Sequence, residues 1–197
     1  DKAHSIELMQ NETKRLIRLV NENLDYEKIR TGQIALNKTQ FDGAEVLRNL
    51  VEQLTKKAAA SDDQFKLSTP DELPVWADYD RFVQVLFNIM QNAIQFSQEN
   101  VIEVTASRTE HATVIAVRDH GIGMTAEQVQ NIWERYYKAD PSRKNTKYGE
   151  SGLGLAISHQ LVQQHGGTIV VDSQPNQGTS FTVTFPDEGF DKPIVED

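Results

Sequence analysis

Along residues 2–31 apolar positions recur at alternating steps of three and four. Ile6, Met9, Thr13, Leu16, Val20 and Leu24 form the stripe, and polar "NETKR" and "NENLDYEK" fill the other faces. This spacing predicts one helix carrying the seam of a coiled coil or helix bundle. Gly32 follows the last turn, where a left-handed cap is expected. A lone helix of this length is marginal in water, so the seam needs a partner. Either another helix or the chain's own following domain can provide it. The pattern opens in mid-helix with "DKAHSIELMQ", so we expect a piece of a longer protein.

After residue 32 the periods alternate. "QIALNKTQFD" reads as a connector ending in a short strand, and "GAEVLRNLVEQLTKKAAA" as an amphipathic helix with Val46, Leu47, Leu50, Val51 and Leu54 on one side. "QFKLS" and "PVWAD" are short strands bracketed by turn residues. "YDRFVQVLFNIMQNAIQFS" is a strong helix, apolar at Phe82, Val85, Leu86, Ile89, Met90, Ala93 and Phe96. "VIEVTAS" and "TVIAVRD" are β-rich, and the second runs straight into a glycine turn. "GLGLAISHQLVQQHGG" is a helix opened and closed by glycine, and "TIVVDS" and "SFTVTF" form a hairpin across "QPNQGT". The acidic end, "DEGFDKPIVED", reads as a loose tail. Strand pairs unseparated by helices, together with three helices after residue 40, indicate an α+β fold with helices layered over a mixed sheet.

Composition narrows the classes. The chain is 38% hydrophobic and 25% charged, ordinary for a soluble domain. A net charge of -9 argues against nucleic-acid or anionic-membrane binding, which need a basic face. The absence of cysteine removes disulfides, thiolate metal sites and a cysteine nucleophile. No apolar run approaches the ~18–20 residues that span a bilayer.

The candidate chemistry lies in three places. Asn88 and Asn92 are four apart on one helix and share a face at the edge of its apolar side. Their amide oxygens suit a hard cation such as Mg²⁺, although two asparagines on a helix are also what an ordinary surface carries. Asp119 ends a strand in "DHGIGM", where a carboxylate can accept from an exocyclic amine and distinguish adenine from guanine. Gly121 and Gly123 would let the backbone approach a ring. In "GESGLGLA", Gly152 and Gly154 open a helix whose unpaired N–H groups favour a phosphate. Between the glycine clusters, Lys138, Arg143, Lys144 and Lys147 face one acid, Asp140, in a loop long enough to be a lid. A solvated loop would carry the same charges, and each piece alone is weak.

Together they resemble the catalytic ATP-binding domain of bacterial sensor histidine kinases, of the GHKL ATPase superfamily, over roughly residues 40–186. "NIMQNAIQFS" resembles the N box, "DHGIGM" the first glycine box, "IWERYYKAD" the F box, "SGLGLAI" the second glycine box and "QGTSF" the final Gly-Thr element. "NETKRLIRLVNENLDYEKIRTG" resembles the second helix of the dimerisation and phosphoacceptor hairpin. The resemblance implies a mostly antiparallel sheet. It divides the chain into part of that hairpin (1–35), the catalytic domain (36–187) and the tail (188–197). It implies that Asn88 and Asn92 hold Mg²⁺ and the phosphates, that Asp119 reads the adenine amino group, and that Thr179 joins a water network nearby. Gly121, Gly123, Gly152, Leu153, Gly154 and Leu155 would shape the pocket, with Gln95, Phe96, Tyr137 and Arg143 beside the nucleotide. Lys138 would reach the γ-phosphate and share the catalytic role with Asn88. Trp133 and Tyr136 are expected to anchor the lid on the core.

Three departures stand out: Gln95 where the N box commonly has Lys, Glu150 where glycine is frequent, and no phosphoacceptor box in the chain. Related ATPases of the gyrase and mismatch-repair type usually place a catalytic Glu where this chain has Asn88, which favours phosphotransfer over hydrolysis. The implied activity is ATP-dependent protein-histidine phosphorylation. Its partners would be a response regulator and a second copy in the full-length protein, with no nucleic acid and any membrane anchor upstream of Asp1. A nucleotide-gated interaction module that binds ATP without transferring phosphate stays open at this stage. A serine kinase of the anti-sigma-factor type is disfavoured by the hairpin-like first helix. The basic residues of 138–150 repel one another until phosphates neutralise them. Trypsin should therefore cut after Arg143 or Lys144 readily without nucleotide and slowly with Mg-ATP; equal rates would remove the lid.

Overall fold

The computed structural model describes residues 2–32, 34–97, 100–134, 137 and 154–188. The lid segment 138–150, with Lys138, Arg143 and Glu150, lies outside the described residues, as do Tyr136, Gly152, Leu153 and tail residues 189–197. The described elements run α1 (Lys2–Arg30), β1 (Lys38–Asp42), α2 (Gly43–Ala59), β2 (Gln64–Ser68), β3 (Pro74–Asp78) and α3 (Tyr79–Phe96). They continue through β4 (Val101–Arg108), β5 (Ala112–Asp119), α4 (Ala126–Asn131), α5 (Gly154–Gln164), β6 (Thr168–Ser173) and β7 (Thr179–Pro186).

Alternation in the strands sets the layers. In β7, Thr179, Phe181, Val183 and Phe185 are buried while the residues between them are half-exposed. That inner face meets the apolar sides of α2, α3 and α5 in one core containing Leu47, Leu50, Phe82, Leu86, Ile89 and Leu161. The main sheet has five strands in the order β2-β4-β5-β7-β6; β2 and β4 are parallel and the other pairs antiparallel. β1 and β3 form a separate antiparallel pair. The α+β layering expected from the sequence is thus observed.

Aspartates start two of the helices. Asp42 accepts from the N–H groups of Ala44 and Leu73, both at 2.9 Å, capping α2 and holding the chain before β3. Asp78 accepts from Arg81 N–H at 3.1 Å and from Asn37 N–H at 2.9 Å, capping α3 and fixing the end of the α1 connector. The sequence reading missed α4, although Thr125 and Gln128 form a complete capping box there.

The seam of α1 stays uncovered. Ile6, Met9, Leu16, Val20 and Leu24 are each more than half exposed. Among the described residues, only the last turns of α1 meet the domain: Ile29 is buried in the core, and Gln164 Nε2 of α5 donates to the Ile29 carbonyl at 2.5 Å. Of the two seam partners left open by the sequence, the described part of the chain's own domain does not take that place. Gly32 takes the expected left-handed conformation, φ 70°.

His165, after α5, joins that helix to the β3–α3 junction. Asp78 N–H can only donate, so His165 Nε2 accepts it at 3.1 Å. The proton then sits on Nδ1 and is donated to the Leu161 carbonyl at 2.7 Å. Burial, with Lys38 adding, holds His165 below the ordinary histidine value. The unfolded chain takes up this proton near pH ~6.5, whereas the folded chain resists it. The contribution of His165 to stability is therefore full above about pH 6.5 and is lost as pH falls through its folded value. Burial lowers His159 as well, in the same direction. The urea midpoint should fall between pH 7.5 and pH 5, and by less in His165→Gln. At pH 7.5, His165→Ala should cost roughly 1–3 kcal/mol by orphaning the Asp78 N–H. An unchanged pH dependence in His165→Gln would clear His165 of the role.

Candidate functional site

Asp119 is the last residue of β5 and is 1% exposed. Its carboxylate accepts from Gly121 N–H at 2.9 Å, and the backbone of Thr179 lies alongside in register on β7. Burial is the main cause of a pKa above the ordinary carboxylate value, and Asp63 adds to it; the Gly121 and Thr179 backbones and His120 oppose the rise. Among the described residues no ion pair holds Asp119. It is an oriented hydrogen-bond acceptor.

The turn after Asp119 is fastened to the β6–β7 hairpin. Asn176 N–H donates to the Ile122 carbonyl at 2.7 Å, and Gly178 N–H to the Gly121 carbonyl at 3.1 Å. Met124 N–H donates to Ser173 Oγ at 2.8 Å. A Cβ on Gly121 would collide with the Phe96 carbonyl at the end of α3, and one on Gly123, φ 64°, with the Gln174 carbonyl. The space that a Cβ would take at these glycines is filled by the protein's own backbone. The immediate demand for glycine at these two positions is internal packing.

Gly154 differs. A Cβ there would lie 3.5 Å from the Asn88 side chain, an ordinary contact. Asn88 Nδ2 donates to the Gly154 carbonyl at 3.2 Å and to Ser158 Oγ at 3.3 Å, so α3 grips the start of α5. With its NH₂ engaged, the amide of Asn88 is fixed and its Oδ1 accepts no hydrogen bond among the described residues. Asn92, one turn on, is half-buried on the same helix. Two neutral amide oxygens are hard donors that fit Mg²⁺, but they bring no charge. Among the described residues no cluster of three His, Asp or Glu side chains is placed to hold a metal. Asn88 and Asn92 alone would fill two positions of an octahedral Mg²⁺ site, leaving the rest to waters and other oxygens.

The other candidates fall around this frame. Gln95 and Phe96 are half-buried in the last turn of α3, and Leu155 packs on the core at the start of α5. Tyr137 is half-buried, and its N–H donates to the Glu134 carbonyl at 3.2 Å. Trp133 anchors its segment as expected, stacked on His159 at 4.9 Å and edge-on to Phe181 at 5.9 Å. Sequence reasoning missed Ser158 and Ser173. Ser158 lies four residues after Gly154 and bonds its carbonyl at 2.8 Å, a helical spacing that was readable. Ser173 gave no signal in the sequence, because its partners come from cross-strand register.

Residues 77–189 match the family of histidine kinase-, DNA gyrase B- and HSP90-like ATPases. The chain belongs to this ATPase family. Sensor histidine kinase YclK of Bacillus subtilis (strain 168) is 46% identical over 186 residues, covering 94% of this chain and 39% of that protein. Full-length ShkA in complex with AMPPNP superposes with a TM-score of 0.81 at 25% identity, covering 94% of this chain and 39% of that one. Histidine kinase ThkA in complex with response regulator protein TrrA gives 0.73 at 26% identity, covering 95% and 52%. The chain spans well under half the length of the curated relatives it matches, 39% of YclK and 29% of WalK.

The geometry separates the glycines by consequence. Gly121→Ala should lower stability by about 1–3 kcal/mol, as overpacking does. Gly154→Ala should leave stability unchanged or slightly raised, since alanine favours the helix by about 0.5–1 kcal/mol. Denaturant melts of both variants check this, and equal losses would refute the distinction.

Proposed function

We propose that the chain is the kinase core of a two-component sensor histidine kinase. It binds Mg-ATP and donates the γ-phosphate to a histidine on a hairpin helix outside these 197 residues, for onward transfer to a response regulator. The observation that carries this reading is Asp119, a buried acceptor held by the Gly121 N–H and with no ion partner among the described residues, in a chain of this ATPase family. Such a group suits the exocyclic amine of adenine and repels the carbonyl of guanine.

In this reading Asn88 and Asn92 hold Mg²⁺, with Asn88 fixed by Gly154 and Ser158. The ion would neutralise phosphate charge. Lys138 and Arg143 reach the phosphates, Gly152 and Leu153 complete the wall begun by Gly154 and Leu155, and Gln95, Phe96 and Tyr137 border the nucleotide. The domain's part is positioning and charge neutralisation, with little covalent chemistry of its own. Residues 1–35 form the second hairpin helix, and the exposed seam of α1 supports pairing in a homodimeric bundle. Residues 36–187 form the catalytic domain. ThkA was solved with its response regulator, which supports the same class of partner here. No helix among the described residues is long and apolar enough to cross a membrane. We place this part on the cytoplasmic side of a sensor kinase anchored through upstream segments.

Calorimetry should show tight binding of Mg-ATP and weak binding of Mg-GTP, with severe loss of ATP affinity in Asp119→Asn. Equal affinities, or an unchanged variant, would overturn the adenine-reading role. Radiolabelled γ-phosphate should appear on a supplied hairpin bearing the acceptor histidine. It should not appear on this chain: His165 is buried, His159 is stacked on Trp133, and "AHSIEL" around His4 has no adjacent acid. ATP binding without transfer to any such hairpin would favour a nucleotide-gated interaction module instead.

A further inference from the structure

Three residues stand side by side at the end of the main sheet. Asp119 of β5 is in register with Thr179 of β7, and Thr179 with Ser173 of β6. Residues in register on adjacent strands share a face, with Cβ atoms about 4.5–5.5 Å apart. Thr179 is 4% exposed and therefore lies beside the Asp119 carboxylate on the inner face.

Hydrogen-bond accounting then settles the direction of one bond. Ser173 Oγ has a single proton and has three partners. The Met124 N–H, at 2.8 Å, can only donate to it. The Gly178 carbonyl, at 2.9 Å, can only accept from it, and this uses the proton. The third partner is Thr179 Oγ1 at 2.8 Å, where either oxygen is close enough to donate. With the serine proton committed, Thr179 must donate to Ser173. The Thr179 hydroxyl then has lone pairs left and no proton.

We propose that Ser173 is a specificity-determining residue: it fixes Thr179 as an acceptor beside Asp119, so the site offers two acceptors to the 6-position of a purine. This rests on the reading of Asp119 as the adenine-recognising group. An exocyclic amine has two protons to give, to these oxygens directly or through a water. A 6-carbonyl has none, and a threonine free to rotate could satisfy it by donating. Ser173 removes that rotation without touching the base itself. It is a positioning residue, and its effect is on discrimination between nucleotides.

The test measures Kd for Mg-ATP and Mg-GTP on the 197-residue chain, as wild type, Ser173→Ala, Ser173→Thr and Thr179→Val. In Ser173→Ala the preference for ATP should shrink roughly five- to tenfold, the scale of one hydrogen bond, partly because GTP binds more tightly. Ser173→Thr keeps a hydroxyl and should restore the preference. Thr179→Val loses the acceptor and should shrink the preference similarly, with no further change on adding Ser173→Ala. A merely structural Ser173 would weaken both nucleotides by one factor and leave the ratio intact, which would overturn the proposal. Should Ser173→Ala fail to fold, an unchanged ratio in Thr179→Val would overturn it equally. A wild-type chain that binds both nucleotides alike would instead sink the adenine-reading role itself.

Discussion

A carboxylate taken out of water with no ion partner needs hydrogen bonds, and the placement of the site follows from how Asp119 obtains them. One donor is Gly121 N–H, which requires the chain to turn sharply as β5 ends. The Thr179 backbone, which also favours the charged form, is brought alongside by the observed register of β7. The tight turn brings Gly121 against the Phe96 carbonyl, so the end of α3 is located relative to Asp119. Asn92 and Asn88 lie one and two turns back along that helix, and Asn88 in turn holds the start of α5. A line of close contacts thus runs from the acceptor at the sheet along α3 to the Asn88 amide against α5.

The same carboxylate gains little from ionising in the free protein, since burial disfavours its charged form. In the proposed reading its ionised form becomes useful when the donor amine of the nucleotide arrives. A site that is costly before its ligand is bound and satisfied afterwards is a common exchange of stability for function. The Thr179–Ser173 pair belongs to the same logic, because an acceptor held in place is a better discriminator than a hydroxyl that adapts to either base.

Most elements were legible because their apolar faces are buried in the expected way. Phe82, Val85, Leu86, Ile89 and Met90 in α3 are all buried, as their helical spacing predicts. The strand pairs β4–β5 and β6–β7 follow from alternation and the short turns between them. Sequence did not reveal the β2–β4 parallel pairing or the separate β1–β3 sheet, since neither depends on a local signal. The glycines of "DHGIGM" were legible as requirements, but their packing demand was not: what crowds Gly121 is the carbonyl of Phe96, on a different element. Ser173 is a single serine at a strand end, and only its register beside Thr179 gives it meaning.

α5 connects the site to α1. Its first turn is gripped by Asn88 through the Gly154 carbonyl and Ser158. At its other end Gln164 holds the Ile29 carbonyl, and His165 beyond it binds the N–H of Asp78. A helix is stiff along its axis, and eleven residues span about 16 Å. A shift imposed at Gly154 would therefore reach Gln164 largely as motion of one body, because packed interiors do not absorb displacement continuously. The α1 seam that lies exposed beyond Ile29 contains apolar side chains worth about 1.5–3 kcal/mol each when fully buried, enough for its packing to bias such a motion. In the proposed reading, α5 is the element that would join helix pairing at one end to occupancy of the nucleotide site at the other, and any free energy passed one way would be available in the other.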